Sequence, residues 1–172
     1  MYTIYDTGPG YNGYEISCYG DNDGEIDIQV NGGTPPFDNY LNSSLQANLI
    51  SNNLFAGTYT DSIVDGNGCV ATNTIILNEP TELIPTLTPF DVSCNGFCDG
   101  SIIATALGGT SPYSYAWTNE DSTQTQTAIG LCAGNYSLEV TDQNNCSEDI
   151  STTISEPDTI SVSVDSITNI TT

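Results

Sequence analysis

The sequence predicts an all-β protein made of tandem immunoglobulin-like β-sandwich repeats that are stapled by disulfide bonds. Short runs of alternating apolar and polar residues are separated by turns rich in glycine, asparagine and aspartate, a pattern typical of strands that bury one face. The chain also repeats itself, and it contains six cysteines, an even number. Charged residues make up only 13% of its 172 residues, so the acidic composition does not indicate disorder.

The repeat is found by aligning Cys18 with Cys94, at an offset of 76 residues. After one inserted residue, an offset of 77 aligns Cys69 with Cys146. The elements that recur are an Asp-Gly turn (23–24 and 99–100), a Gly-Gly-Thr turn (32–34 and 108–110), an Ala-Gly-x-Tyr strand start (56–59 and 133–136) and a closing Glu-Pro (79–80 and 156–157). Because these elements keep their order, the chain contains two copies of one unit.

The recurring elements predict three segments. Residues 1–80 form a first repeat with an atypical N-terminal lead-in, and residues 81–157 form a second. Residues 158–172 match the stretch that leads up to Cys94, so we expect them to be the opening strand of a following repeat. The chain looks like two repeats from a longer array. Because its first 20 residues show no signal peptide, export would require a longer precursor.

About seven strands are expected in the second repeat, which favours the immunoglobulin-like sandwich. The candidates are LIPTL (83–87), FDVSC (90–94), SIIATAL (101–107), YSYAWT (113–118), TQTAIG (125–130), NYSLEVT (135–141) and DISTTIS (149–155).

One face of the NYSLEVT strand is apolar, with Tyr136, Leu138 and Val140 in alternation. The Ala-Gly that precedes Tyr136 resembles a tyrosine corner. In the first repeat, Asp61 occupies a position on this face where an apolar residue is expected. Trp117 is the only tryptophan, and we expect it in the core; the alternative is an exposed platform on which a sugar stacks.

The cysteines indicate structural bonds. Cys98 and Cys132 have no counterparts in the first repeat, and two cysteines gained or lost together indicate a bonded pair. Each repeat also has two cysteines at aligned positions. These are Cys18 and Cys69 in the first repeat and Cys94 and Cys146 in the second. We therefore expect the bonds Cys18–Cys69, Cys94–Cys146 and Cys98–Cys132.

The alternative of a four-thiolate zinc site in the second repeat is weaker, because the first repeat has only two of the ligands. A bond that closes a loop of about 50 residues contributes about 4 kcal/mol in the chain-entropy model. Disulfide bonds also indicate an oxidising compartment.

The composition excludes several classes of function. The chain has no lysine, arginine or histidine, and its 22 acidic residues give a net charge of -22. This charge repels nucleic-acid phosphates and anionic lipid, so we expect no nucleic-acid partner and no membrane insertion. Without histidine and lysine, the common nucleophile pairs, imidazole ligands and Schiff bases cannot form. We predict a protein that is not an enzyme and that has no cofactor.

Several motifs together resemble the SprB-type repeat, which occurs in many copies in large surface adhesins of gliding and other Bacteroidota bacteria. They are VSCNG (92–96), CDGS (98–101), GGTSPYSYAW (108–117), LCAGNYSLEVTDQNNC (131–146) and the closing Glu-Pro. The first repeat departs from the pattern with PPFDNYL (35–41) and with its glycine-rich lead-in. The resemblance covers nearly all of both repeats. It implies export and display outside the cell or on the bacterial outer-membrane surface, without catalysis.

The segment DNDGEID (21–27) suggests a calcium loop, with Asp21, Asp23 and Glu25 as candidate ligands. It lacks the glycine and the distant glutamate of an EF-hand, and only its Asp-Gly recurs in the second repeat. A solvated hairpin turn is the favoured interpretation.

A second short motif, Asp-Ser/Thr followed by an apolar residue or threonine, resembles the O-glycosylation signal of exported Bacteroidota proteins. Its acceptors are Ser62, Ser122, Thr159 and Ser166. Three-residue matches arise easily in a chain this rich in serine and threonine. The four residues are therefore candidates for glycosylation.

Two functions fit these patterns. The first is a non-enzymatic structural array that forms an adhesin stalk or an extracellular fibre, in which repeats supply length and acidic residues supply solubility. Its expected partners are neighbouring repeats or subunits, reached through the C-terminal strand. The alternative is a glycan-binding adhesion module, in which exposed tyrosines and carboxylates hold a surface sugar.

Overall fold

A computed structural model describes residues 3–5, 10–118 and 125–165. The described residues form strands and no helix, so the all-β prediction is confirmed. The strands are β1 (Thr3–Tyr5), β2 (Gly24–Gln29), β3 (Asp38–Leu41), β4 (Ser44–Gln46), β5 (Ile50–Leu54), β6 (Gly57–Val64), β7 (Val70–Leu77), β8 (Ile84–Phe90), β9 (Gly100–Leu107), β10 (Ser114–Trp117), β11 (Thr127–Leu131), β12 (Gly134–Thr141) and β13 (Ser147–Ile154).

The chain divides into two compact units whose limits differ from the repeat boundary at residue 80. The first unit comprises Met1–Pro85, Ala106–Ser114 and Val140–Glu148, and the second comprises Thr86–Thr105, Tyr115–Glu139 and Asp149–Thr172. Two loops of the second repeat therefore belong to the first unit. The reason is local bonding, because these loops bind residues of the first repeat and of the segment that follows it.

The first unit contains two antiparallel sheets around one core. One sheet has the strand order β1-β2-β5 and the other β4-β3-β6-β7. In β2 alternate residues are buried, as the period of two predicts. The buried cluster takes residues from both sheets and from the segment before β2: Ile16, Ile26, Ile28, Leu41, Ile63 and Leu77. Two sheets that share a core give this unit its sandwich character.

The strands of the second repeat pair in the same way. One sheet has the order β11-β9-β8 and the other β10-β12-β13. Ile102 and Ala104 on β9 and Leu138 on β12 are fully buried. The alternation that the sequence predicts for β12 is confirmed, because Tyr136, Leu138 and Val140 are all buried. Trp117 is buried as expected, and its indole N–H donates to the carbonyl of Thr125 at 3.0 Å.

The predicted tyrosine corner is present in both repeats. The hydroxyl of Tyr59 donates to the carbonyl of Phe55 at 2.8 Å, and that of Tyr136 donates to the carbonyl of Cys132 at 2.9 Å. Asp61, which interrupts the apolar pattern of the first repeat, is fully buried on β6 opposite Leu41.

One segment that the sequence predicts to be a strand is not a strand. FDVSC (90–94) contributes only Phe90, the last residue of β8. The backbone of the next residues is used differently, because the N–H of Ser93 donates to the side chain of Asp99 at 2.9 Å and closes a turn. The described part of the C-terminal tail, 158–165, forms no strand, and its apolar side chains are exposed.

Candidate functional site

Each repeat carries a turn that begins with a serine and a cysteine, and we call residues 17–24 and 93–100 the cysteine turns. In the first, the N–H of Ser17 donates to the carboxylate of Asp23 at 3.1 Å. In the second, the N–H of Ser93 donates to Asp99 at 2.9 Å. Hydrogen bonds from Ser93, first from its side chain and then from its backbone, hold the pKa of Asp99 below the ordinary value. Burial raises the pKa of Asp23, but hydrogen bonds, first from Ser17 and then from the side chain of Tyr11, outweigh it and lower the pKa.

The glycine of each Asp-Gly pair is required by close packing. A Cβ atom at Gly24 would lie 2.8 Å from the carbonyl oxygen of Leu54, and one at Gly100 would lie 3.0 Å from that of Leu131. The far side of each cysteine turn is held by the closing Glu-Pro. The N–H of Gly20 donates to Glu79 at 2.7 Å, and that of Gly96 donates to Glu156 at 2.8 Å. The recurrence of Asp-Gly and Glu-Pro therefore has a structural cause.

A second turn, organised by one aspartate, carries the other aligned cysteine, and we call residues 65–69 and 142–146 the aspartate turns. Asp65 accepts the N–H of Cys69 at 2.9 Å and the N–H of Thr34 at 3.1 Å. The bond from the Cys69 backbone is the main reason that the pKa of Asp65 lies below its ordinary value. This carboxylate also joins the aspartate turn to the Gly-Gly-Thr turn.

The second aspartate turn repeats this arrangement. Asp142 accepts the N–H of Cys146 at 2.9 Å and the N–H of Thr110 at 2.8 Å. Asp142 is buried, whereas Asp65 is only half-buried. The two turns have the same bonding but different surroundings.

The structure changes the predicted pairing of four cysteines. Cys18 is bonded to Cys146, with 5.7 Å between their Cα atoms, an ordinary separation for a disulfide. The expected bonds Cys18–Cys69 and Cys94–Cys146 are therefore corrected. Cys69 and Cys94 are exposed free thiols.

The physical reason lies in the aspartate turn of the second repeat, which packs beside the first cysteine turn. The side-chain amide of Asn144 donates to the carbonyl of Ser17 at 2.9 Å. This contact brings Cys146 to Cys18. Internal repetition indicates that a cysteine turn bonds to an aspartate turn, but it does not indicate whether both belong to one repeat.

Cys98 and Cys132 are bonded to each other, which is the pair expected from their joint absence in the first repeat. Cys132 also receives the tyrosine-corner hydrogen bond at its carbonyl, so this disulfide lies beside the start of β12.

Two of the three predicted calcium ligands, Asp21 and Asp23, have protein partners. Asp23 accepts from the backbone of Ser17, and the hydroxyl of Ser17 donates to Asp21 at 3.3 Å. Among the residues that the structure describes, no group of three or more His, Cys, Asp or Glu side chains is placed to hold a metal ion. Calcium at Asp21, Asp23 and Glu25 remains a hypothesis from sequence.

The glycosylation candidates have different surroundings. Ser62 is half-buried on β6, between Tyr40 of β3 and Thr72 of β7. Thr159 is exposed in the C-terminal tail. Ser122 and Ser166 lie outside the described residues.

The model of the SprB repeat matches two stretches of the chain, residues 15–44 and 86–122. Each match contains a cysteine turn and the following Gly-Gly-Thr turn. No curated protein matches the chain. The described part of the chain has no helix of the length and hydropathy that spans a bilayer.

SprB is a structural repeat family and not an enzyme family, and the repeat suggests a cell-surface or extracellular protein associated with a surface adhesin. The two matches coincide with the two copies that internal alignment finds. The chain therefore contains two SprB-type repeats.

Proposed function

We propose that the chain is part of a non-enzymatic structural array, the stalk of a gliding-associated adhesin or an extracellular fibre of a Bacteroidota bacterium. In this array each repeat is an immunoglobulin-like sandwich. The observation that carries the proposal is the Cys18–Cys146 bond, because it joins the cysteine turn of one repeat to the aspartate turn of the next. A covalent bond between successive repeats carries tension directly from one repeat to the next, as a stalk requires.

The surface supports the same function. A net charge of -22 keeps neighbouring fibres apart and soluble. The absence of lysine and arginine removes every site for trypsin-like proteases. Of the tyrosines whose side chains the structure describes, Tyr19 is the one that is more than half exposed, at 57%. The glycan-binding alternative requires several exposed tyrosines beside carboxylates, so the array is the better proposal.

The C-terminal tail supports assembly. Ile160, Val162 and Val164 are 97%, 91% and 77% exposed. At the offset of 77, Ile160 aligns with Leu83, which leads into β8 and is only 6% exposed. We propose that residues 158–167 form the opening strand of a following repeat, in the same polypeptide or in a neighbouring subunit.

As a surface protein, the chain is also proposed to be O-glycosylated, with sugar on some of Ser62, Ser122, Thr159 and Ser166. Intact mass spectrometry of protein from its native bacterium measures this directly. A mass equal to that of the bare polypeptide contradicts the glycosylation and has no bearing on the proposed array.

Single-molecule pulling on the two ends tests the array. With the bond intact, tension passes from Cys18 to Cys146, at a sequence separation of 128, without stretching the chain between them. Adding a reductant under load should release about 45 nm of chain, because an extended residue spans about 3.5 Å.

The matched control is Cys18→Ser, which should extend without reductant except for the loop closed by Cys98–Cys132, whose sequence separation is 34. A wild-type chain that reaches full length without reductant contradicts the load-bearing bond. Strong binding on a glycan array, in a chain that extends freely, favours the adhesion module instead.

A further inference from the structure

The two free thiols occupy the positions that are bonded in the other repeat. Cys94 aligns with Cys18, and Cys69 aligns with Cys146. Cys18 and Cys146 form a disulfide, while Cys69 and Cys94 are exposed. We propose that Cys94 of one copy of this chain bonds to Cys69 of a second copy and repeats the Cys18–Cys146 bond. This inference rests on the proposed array and names the contact by which the array is extended.

The turn around Cys69 is already in the bonding conformation. In the bonded aspartate turn, the N–H of Asn144 donates to Asp142 at 2.8 Å, and the side chain of Asn144 donates to the hydroxyl of Thr110 at 3.2 Å. In the free turn, the N–H of Asn67 donates to Asp65 at 2.9 Å, and its side chain donates to the hydroxyl of Thr34 at 3.0 Å. Asn67 is therefore positioned as Asn144 is.

The turn around Cys94 matches its bonded counterpart as closely. The N–H of Asp21 donates to the carbonyl of Cys18 at 3.1 Å, and the N–H of Phe97 donates to the carbonyl of Cys94 at 3.1 Å. With the same bonds from Ser93 to Asp99 and from Gly96 to Glu156, the free cysteine turn has the shape of the bonded one. Neither turn has to rearrange to form the bond.

The differences between the bonded and free turns are differences of exposure. In the bonded pair, Ser17, Asn144 and Cys146 are half-buried. Their counterparts Ser93, Asn67 and Cys69 are exposed. Contacts that cover the first set are thus missing from the second, and a second copy supplies them in the same geometry.

The segment after the closing Glu-Pro gives a second, independent match. In the bonded arrangement, the N–H of Gly109 donates to the carbonyl of Thr81 at 2.8 Å, and Gly108 lies against the carbonyl of Glu82 with no room for a Cβ atom. The counterpart of Thr81 is Asp158, at the start of the tail. The counterpart of the Gly108–Gly109 turn is the exposed Gly32–Gly33 turn.

The thiol and the tail also lie together. A cavity is lined by Ser93, Cys94, Asn95, Pro157, Asp158, Thr159 and Ile160. Its counterpart at the bonded turn is lined by Cys18, Glu82, Leu83 and Cys146 among others. The second repeat therefore presents a thiol and a peptide segment side by side. In another copy, Cys69 is the partner for the thiol and the Gly32–Gly33 turn is the partner for the peptide segment.

The contact is head-to-tail, because different surfaces of the two copies meet. However many copies are joined, one end of the assembly has a free Cys69 and the other end has a free Cys94. The assembly therefore grows into a filament and does not close as a dimer.

The bond forms by two exchange steps with a small-molecule disulfide such as oxidised glutathione. The thiolate of Cys94 attacks this disulfide, forms a mixed disulfide and releases one glutathione thiolate. The thiolate of Cys69 from the second copy then attacks the Cys94 sulfur and releases the other glutathione. Two cysteine thiols are oxidised, one small disulfide is reduced, and the two protons pass to the released thiolates.

The test incubates the whole chain with a mixture of reduced and oxidised glutathione and separates the products without reductant. We expect a ladder of dimers, trimers and larger species that a reductant collapses to monomer. Peptide mapping with an acid-specific protease should find Cys69 linked to Cys94 in the ladder and Cys18 linked to Cys146 in every band.

Single-cysteine variants make the test specific. Cys69→Ser alone and Cys94→Ser alone should stay monomeric. Their equimolar mixture should form one dimer and nothing larger, about tenfold or more faster than either variant alone, because the turn contacts raise the effective concentration of the two thiols.

The opposing results are distinct. Dimers formed by either variant alone show indiscriminate thiol pairing and overturn the inference, and so does a Cys69–Cys94 bond found in monomers. Absence of the ladder with Cys18–Cys146 intact overturns this inference alone. Absence of Cys18–Cys146 overturns the proposed function.

Discussion

The hydroxyl of Tyr136 donates a 2.9 Å hydrogen bond to the carbonyl of Cys132, a residue that is itself tied to Cys98 by a disulfide. Removing the hydroxyl leaves the buried ring in place and the carbonyl without this donor. We expect Tyr136→Phe to lower the free energy of unfolding by about 1 kcal/mol, the usual net worth of one such bond. The measurement is the urea midpoint under non-reducing conditions.

The matched control for that substitution is Tyr59→Phe, which removes the equivalent bond to Phe55 from the other repeat. Tyr59 is only half-buried, so water replaces the lost partner and the loss should be smaller. Equal losses at the two positions contradict the role that we assign to burial.

The aspartate and cysteine turns make stability depend on acid pH. The pKa values of Asp65 and Asp99 are lowered in the folded protein, the first mainly by the backbone of Cys69 and the second mainly by Ser93. A lowered folded pKa stabilises the protein above the unfolded value of about 3.9. That contribution is lost as the pH falls through the folded pKa.

We therefore expect the thermal midpoint to be steady from pH 7 to about pH 5 and to fall below about pH 4. The variants Asp65→Asn and Asp99→Asn should each flatten the acid limb, because the amide keeps the acceptor oxygen but does not titrate. If the thermal midpoint of both variants falls below pH 4 as steeply as that of the wild type, other carboxylates cause the loss of stability.

Metal removal tests the calcium hypothesis at Asp21, Asp23 and Glu25. Because Asp23 is already engaged by Ser17, we expect the thermal midpoint to be the same in calcium and in a chelator. The site is established if calcium raises the thermal midpoint, if Asp21→Asn abolishes that increase, and if Asp99→Asn leaves it unchanged.

Deleting residues 158–167 tests the tail. The tail contributes no strand and no buried apolar side chain to the described structure, so both repeats should stay folded. End-to-end association should weaken, as measured by sedimentation of the oxidised chain. The control replaces Ile160, Val162 and Val164 with serine at constant length. A truncated chain that associates as well as the intact one makes the tail a simple linker.

The parts of the fold that the sequence predicts well are those decided within a short stretch. Alternation correctly predicts β12, and the Ala-Gly before Tyr136 correctly predicts a tyrosine corner, because both depend on neighbouring residues. FDVSC fails because alternation does not reveal that Ser93 gives its N–H to Asp99. The side chain of a residue six positions away competes with a neighbouring strand for this backbone N–H. The apolar periodicity of the sequence does not show such a side-chain bond.

The candidate site was predictable only in part. Repetition identifies which kinds of turn carry bonded cysteines. It is silent on whether Cys18 reaches Cys69 or Cys146, because both partners have the same local sequence pattern. That choice depends on the packing of Asn144 against Ser17, a contact between residues far apart in the chain. Asp61 remains without a physical account, since it is buried where Leu138 stands in the other repeat.

The Cys18–Cys146 bond has a consequence for damage. It closes a ring that contains most of the chain, because its two cysteines have a sequence separation of 128. A peptide bond hydrolysed once at any loop inside this ring leaves the two fragments joined through sulfur. A nicked repeat therefore stays in place with its sheets paired, and at least two cuts inside one ring are needed before a piece is shed. An array built from such rings therefore does not separate when its first break falls inside a ring.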